Sequence, residues 1–324
     1  MVSPPLPPCG DRTCREGATD RAGRDAGPVV AILMVAAVVA GHMRFVRYDR
    51  DGSIDWGVLR DSTIHRLSAF PEGEPDLADV ANPGYRSAVE RAVETGALPT
   101  LDRSSVDLLA PVPRPRKIVC VGLNYHDHAE EQGENPPDRP LLFAKAPTSV
   151  TDPGKPIVHP PEVDQVDYEV ELAVVMGRTA HRVSADDARD YVAGYTVCND
   201  VSARDAQFAD EQFFRGKSYD TFAPLGPTLV AEGALDPGKL AVECRVDGEV
   251  LQESSTAEFI FGVEELVEYI SHAMTLRPGD VISTGTPGGV GIFRDPPRLL
   301  EPGDTVAVEV EGIGTLRNPV VAGD

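Results

Sequence analysis

Two carboxylates define the chemistry to look for. Glu169 and Glu171 interrupt V-D-Y-E-V-E-L-A-V-V, Val166 to Val175, which otherwise has the composition of a buried strand. Residues two apart on a strand point to the same face, so both carboxylates look the same way. Two ionised carboxylates held close on a partly buried face repel, and such a site must hold a proton, a cationic side chain or a metal ion. A later β-branched run, Y-T-V-C-N-D-V, ends near Asp200, which can supply a third oxygen from the neighbouring strand. Three carboxylates suit a hard ion, Mg²⁺ or Mn²⁺, better than zinc, which prefers nitrogen and sulfur. The plain alternative is the solvent face of an antiparallel sheet. Against it, Tyr168, Val170 and Leu172 form the opposite face, and both faces turn apolar through Ala173, Val174 and Val175. The acidic pair therefore sits at the mouth of a strand that runs into an interior.

A second group could move protons. In G-L-N-Y-H-D-H-A-E-E, Gly122 to Glu131, a helical turn would place His128 and Glu131 on one face, three residues apart and able to touch. A carboxylate that orients a histidine makes a general base able to activate water; a surface turn with incidental polar residues is the alternative. His126 competes, but its i+3 neighbour is Ala129. Further on, Ser202 is expected to cap a helix carrying Arg204, Asp205 and Gln207, with Arg204 free to pair with Asp200 four residues back. Lys217 is expected in a glycine-flanked loop. S-T-G-T-P-G-G-V-G, Ser283 to Gly291, has the small residues that let backbone N–H groups and threonine hydroxyls approach an anion. It lacks the lysine and following helix of a phosphate-binding loop, so nucleotide binding is unsupported.

The elements that must position these residues are mostly strands. K-I-V-C-V reads as a buried strand, V-E-C-R-V-D-G-E-V-L-Q as a hairpin about Asp247-Gly248, and two P-G-D turns each launch a further strand. Val263 to Met274 has helical spacing with Leu266, Val267 and Ile270 inward, and Ser184 is expected to cap a short helix through Tyr191 with Asp187 at the reciprocal position. Residues 43–115 read as a small amino-terminal α/β module: a hairpin turning at Asp49 to Gly52, a helix from Tyr85 to Thr95 that buries Ala88, Val89, Ala92 and Val93, and a Pro-rich linker from Leu108 to Pro115. Nothing in it carries a catalytic pattern. Residues 116–324 form the larger unit, and the fold class expected is α+β, predominantly β.

The chain has 324 residues, enough to bury a large core. A net charge of -22 disfavours nucleic acid and anionic membrane surfaces as partners, and an anionic substrate would need a site that reverses this field locally. Five cysteines without CxxC spacing, three of them in apolar β-like runs, point to a reducing, cytoplasmic setting. Residues 1–42 differ from the rest: a Pro-rich start, four arginines balanced by four acids, and an apolar run from Val29 to Ala40 that is too short for a bilayer, which needs about 20 residues. They are expected to be a disordered leader or a misassigned start, with Met43 as the biological one. Export is the alternative.

The order of the motifs says more than any one of them. G-L-N-Y-x-x-H-x-x-E, F-x-K-x-P at Phe143 to Pro147, D-Y-E-x-E-L-A-V-V, N-D-V-S-A-R-D-x-Q, G-K-S-x-D-T-F-x-P-L-G-P, P-G-D-V-I-x-T-G-T-P-x-G-V-G and E-G-I-G-T-L together resemble the fumarylacetoacetate hydrolase family, over roughly Lys117 to Val320. The resemblance implies a mixed β-roll, a homodimer, and Mg²⁺ or Mn²⁺ held by Glu169, Glu171 and Asp200. It implies that His128 and Glu131 are the water-activating pair, that Lys217 and Gln207 stabilise an oxyanion, and that Arg204, Gln207, Lys217 and Thr286 line the substrate pocket. Tyr219, Ala223 and Phe213-Phe214 depart from the family's common residues without touching this chemistry. The expected reaction is acylpyruvate-type hydrolysis of a small 2-oxo acid. Oxaloacetate decarboxylation and 2-hydroxyhepta-2,4-diene-1,7-dioate isomerisation are the alternatives, because enolate chemistry underlies all three. A metal-dependent metabolite-binding protein is the non-enzymatic alternative, which the intact His128–Glu131 pair disfavours, since binding needs no base.

Overall fold

The β-branched runs pair into one long mixed sheet. In the computed structural model, which describes residues 42–324 apart from Glu72 and Glu74, Val170–Met176 lies between Val192–Asn199 and Val281–Ser283. Val281–Ser283 runs parallel to Ile118–Gly122, which pairs antiparallel with Leu141–Lys145 at that edge. All seven residues of Val170–Met176 are buried. Its alternation divides them: Leu172, Val174 and Met176 enter one core, Ala173 and Val175 the other. A strand buried on both faces has no solvent side on which Glu171 could sit.

A five-stranded sheet, ordered Glu249–Ser255, Ala241–Val246, Thr305–Val310, Gly314–Ala322, Ile157–His159, contributes Val242, Cys244, Val308 and Leu316 to the first core. Helix Val263–Ala273 adds Leu266, Val267 and Ile270 to it. Each fully buried aliphatic side chain contributes about 1.5–3 kcal/mol, so this shared core fixes how the two sheets sit.

The segment expected as a small module over 43–115 continues the same sheet. Arg44–Arg50 and Ser53–Arg60 form the expected hairpin, turning through Asp51 and Gly52 at positive φ. Arg44 and Phe45 then pair with Val230 and Leu229 of strand Ala223–Ala231. Helix Pro83–Glu94, capped by Asn82, packs Tyr85, Val89 and Val93 into the second core beside Ala173 and Val175. Within the stretch expected as a Pro-rich linker, Asp107–Leu109 is a strand against Arg44–Arg50, and Ala110 and Val112 are buried. The leucines precede the prolines and keep their N–H groups for pairing.

Two expected caps are replaced. Ala185–Tyr191 is a 3-10 helix whose preceding Ser184 donates to the Asp187 carboxylate at 2.8 Å and caps no N–H. Ser202 is drawn into a two-stranded pairing with Asp167, so Ala203 stands at the N-cap of helix Arg204–Ala209. The leader expected over residues 1–42 lies, except for His42, outside the described residues. No helix among the described residues is long and apolar enough to cross a membrane.

Candidate active site

The acidic stretch is two strands with a break that opens the site. Val166–Asp167 pairs with Ser202–Ala203, while Val170 onwards joins the main sheet. Glu169 lies in the break. Its N–H donates to Asn199 Oδ1 at 3.0 Å and its carbonyl accepts from Asp200 N–H at 2.9 Å, which brings Asp200 alongside. Glu171 is one residue into the strand, and its carboxylate accepts from the Ser283 hydroxyl and, at 3.0 Å, from Gly285 N–H. The three carboxylates are buried, and one oxygen from each lies within 4.8 Å of the others.

Cations surround this group unevenly. Lys217 Nζ contacts Glu169 Oε2 at 2.8 Å and Asp200 Oδ2 at 3.0 Å. Lys145 pairs with Asp200 and donates to Val201 C=O at 3.0 Å. Arg204 spans Asp167 at 2.9 Å and Glu169 at 2.7 Å, and its other arm donates to Gln207 Oε1 at 3.0 Å. The carboxylates of Asp167, Glu169, Glu171 and Asp200 thus face Lys145, Lys217 and Arg204, and Glu171 is the one left without a cationic partner. Burial, with the charges of Asp200 and Glu169, pushes the Glu171 carboxyl up to about 8. Burial of Glu169 is outweighed by Lys217 and Arg204, which pull it down to about 2. Three converging oxygens with one unbalanced negative charge fit a hard divalent cation.

The histidine pair faces the same cavity. In helix His126–Glu131, His128 Nδ1 lies 2.9 Å from Glu131 Oε2, and its other ring nitrogen lies 2.8 Å from Gln132 Nε2. The glycine-rich loop was expected to meet a ligand anion; it holds the protein's own carboxylates instead. Gly288 N–H donates to Asp127 at 3.2 Å, Gly289 N–H to Glu131 at 2.9 Å, and Gly291 and Ile292 N–H to Asp167 at 2.8 and 3.0 Å. Gly289 has φ +94°, and a Cβ there would stand 2.3 Å from the Leu251 carbonyl oxygen. The loop therefore locks the base-orienting Glu131 and the arginine-holding Asp167 onto one segment.

A cavity of about 190 Å³ joins these groups. Of the expected residues, His128, Glu169, Glu171, Arg204, Gln207, Lys217 and Thr286 line it, with Glu131 and Asp200 behind. The Thr286 hydroxyl is engaged, donating to Val170 C=O at 3.0 Å and accepting from Gln252 at 2.9 Å. Phe143, Phe208, Phe213 and Phe293 form the aromatic part of the wall. Two expectations change. Arg204 does not pair with Asp200, which precedes the helix and is taken by the two lysines. Lys217 is not in a loop; it ends helix Phe213–Lys217 and is buried between two carboxylates. Lys145, Asp167 and Gln132 were not assigned roles from sequence. The available signals were a lysine closing an otherwise apolar strand and an aspartate two residues before Glu169.

Residues 117–321 match the model for the C-terminal domain of fumarylacetoacetate (FAA) hydrolase, and residues 43–111 match one described as Rv2993c-like, N-terminal. The chain is 50% identical over 238 residues to the oxaloacetate tautomerase FAHD2A, mitochondrial, of Bos taurus, covering 72% of this chain and 76% of that protein. Among solved structures, a fumarylacetoacetate hydrolase from Exiguobacterium antarcticum superposes with a TM-score of 0.78 at 40% identity, covering 87% of this chain and all (100%) of the other. A 2-hydroxyhepta-2,4-diene-1,7-dioate isomerase from Mycobacterium marinum gives a TM-score of 0.70 at 37% identity, covering 86% and 98%.

Proposed function

Since the chain belongs to the fumarylacetoacetate hydrolase family and is an enzyme of it, we propose that it moves protons on small 2-oxo acids, with keto–enol tautomerisation of oxaloacetate as its reaction. The observation that carries this reading is the placement of the Glu169–Glu171–Asp200 group and the His128–Glu131 pair on one cavity. A divalent cation held by the three carboxylates, Mg²⁺ or Mn²⁺ for an all-oxygen donor set, would supply Lewis-acid stabilisation of enolate charge.

The chain's own residues then have distinct tasks. Glu131 orients the His128 ring through Nδ1, so the opposite nitrogen is the one that takes or returns a proton. Lys217 and Gln207 present N–H groups to developing negative charge. Arg204, fixed by Asp167 and Glu169, turns its other arm to Gln207 at the cavity end, and the cation held by the carboxylates would supply the positive charge that admits an acid despite the chain's net charge of -22. Acylpyruvate hydrolysis is the second reading, favoured by the same intact pair at 2.9 Å, since a general base also activates water. A cytoplasmic homodimer belongs to this proposal; the free, buried thiols of Cys120, Cys198 and Cys244 support the reducing compartment, and the family resemblance supports the dimer.

The test is to follow decay of the oxaloacetate enol and cleavage of an acylpyruvate, with Mg²⁺ or Mn²⁺ and then with EDTA. Metal-dependent loss of the enol is expected. Absence of turnover of either acid at any metal concentration would overturn the proposal.

A further inference from the structure

The His128 ring is gripped from both sides. Glu131 takes Nδ1 at 2.9 Å, and the side-chain amide nitrogen of Gln132 lies 2.8 Å from Nε2. With its hydrogen on Nδ1 towards the carboxylate, the ring presents a lone pair at Nε2, and an amide N–H is the matching partner. That lone pair is the one through which the pair would draw a proton from water. Gln132 also lines the cavity, and its amide engages the lone pair that such a water would have to reach. Its backbone is fixed, with Gln132 N–H donating to His128 C=O at 3.2 Å, yet the residue is exposed at the rim. The side chain can therefore swing aside by its own torsions without unfolding the turn.

We infer that Gln132 is a specificity-determining residue: by occupying His128 Nε2 it disfavours activation of water and reserves the pair for an acid bound in the cavity. The inference rests on the proton-transfer function proposed above. Water and a bound substrate compete unequally with the amide. An acid held at the Arg204–Gln207 end brings its C3–H to the ring at high effective concentration, whereas a free water has no such anchor. In tautomerisation the C3–H bond breaks, its electron pair becomes the C2–C3 double bond, and the carbonyl π pair moves to oxygen. The proton passes by way of Nε2 to that oxygen, and no atom is gained. In hydrolysis Nε2 takes a proton from water as the hydroxyl oxygen bonds to C4 and the C4 carbonyl π pair moves to its oxygen; when that pair returns, the C3–C4 bond breaks with its pair forming the C2–C3 double bond of an enolate, and Nε2 gives its proton to C3. Only the second route needs a water at Nε2.

The experiment uses the metal-loaded full chain with Gln132→Ala and Gln132→Leu, the latter filling similar space without an N–H. Two quantities are measured: the ratio of acylpyruvate cleavage to oxaloacetate tautomerisation, and the rate of His128 ethoxycarbonylation by diethyl pyrocarbonate, located by peptide mass mapping. In both variants the ratio and the labelling rate should rise about tenfold, the scale of one hydrogen bond. Wild-type labelling in Gln132→Leu, or a parallel fall of both reactions at constant ratio, would overturn the inference. If the wild type turns over neither acid, the proposed function fails, while the labelling contrast still decides for or against the Gln132 cap.

Discussion

Two buried carboxylates in this molecule have opposite surroundings. Asp55, in the amino-terminal hairpin, accepts from Trp56 N–H at 2.7 Å, Ser68 Oγ at 2.6 Å, Tyr48 Oη at 3.0 Å and Arg66 at 3.3 Å. These donors outweigh its burial and hold its carboxyl below the usual range. Glu171 accepts from Ser283 and Gly285, has no cation in contact, and is pushed up to about 8. A buried acid with a complete donor set is part of the structure; one crowded by other acids without its own counter-charge is part of a site. Burial alone does not separate the two.

The comparison can be broken by substitution. The largest effect is expected for His128→Ala, which should lower proton transfer on the substrate by roughly 10²- to 10⁴-fold while leaving metal affinity unchanged by calorimetry. A matching loss of metal binding would place His128 among the structural supports of the carboxylate group. Asp200→Asn should weaken metal affinity by roughly 10- to 100-fold, because it removes the negative charge of a proposed ligand while keeping its shape. Excess Mn²⁺ should recover part of the activity. Asp55→Ala should be the smallest and different in kind. It leaves the Tyr48 and Ser68 hydroxyls without their acceptor, costs about 1–3 kcal/mol in denaturant unfolding, and leaves metal affinity as it was.

Much of the site was legible because its geometry is local. Glu169 and Glu171 come together as expected, although Glu169 lies in the break before Val170–Met176 rather than in the strand; the helical i+3 spacing joined His128 to Glu131 at 2.9 Å, and the adjacent β-branched run delivered Asp200. The fold class followed from the same periodicities. What escaped was non-local. Arg204 finds Asp167 thirty-seven positions back rather than Asp200 on its own segment (|i−j|=37). Lys145 reaches Asp200 from the far edge of the sheet, past Val170–Met176, Val281–Ser283 and Ile118–Gly122, an order no single-strand pattern reveals. The glycine loop carried a correct signal for anion contact but not the identity of the anions, which are Asp127, Glu131, Asp167 and Glu171. The pairing of Phe45 with Leu229 likewise depends on chain closure between strands far apart in the sequence.

On the function proposed above, Glu171 gives up its proton to a metal ion. In the metal-free protein its carboxyl keeps a proton up to about pH 8 instead of the ordinary 4.5. The unfolded chain therefore loses that proton first, and this group's stabilising contribution, complete below about 4.5, fades as pH rises through 8. A cation must displace the proton, so affinity should rise with pH over the same window. Titration of Mn²⁺ into metal-stripped protein at about pH 7, in two buffers of different ionisation enthalpy, reads this directly. One ion per chain with about one proton released is expected, and no proton release in Glu171→Gln. Binding with no proton released by the wild type, or binding unaltered in Glu171→Gln, would contradict it.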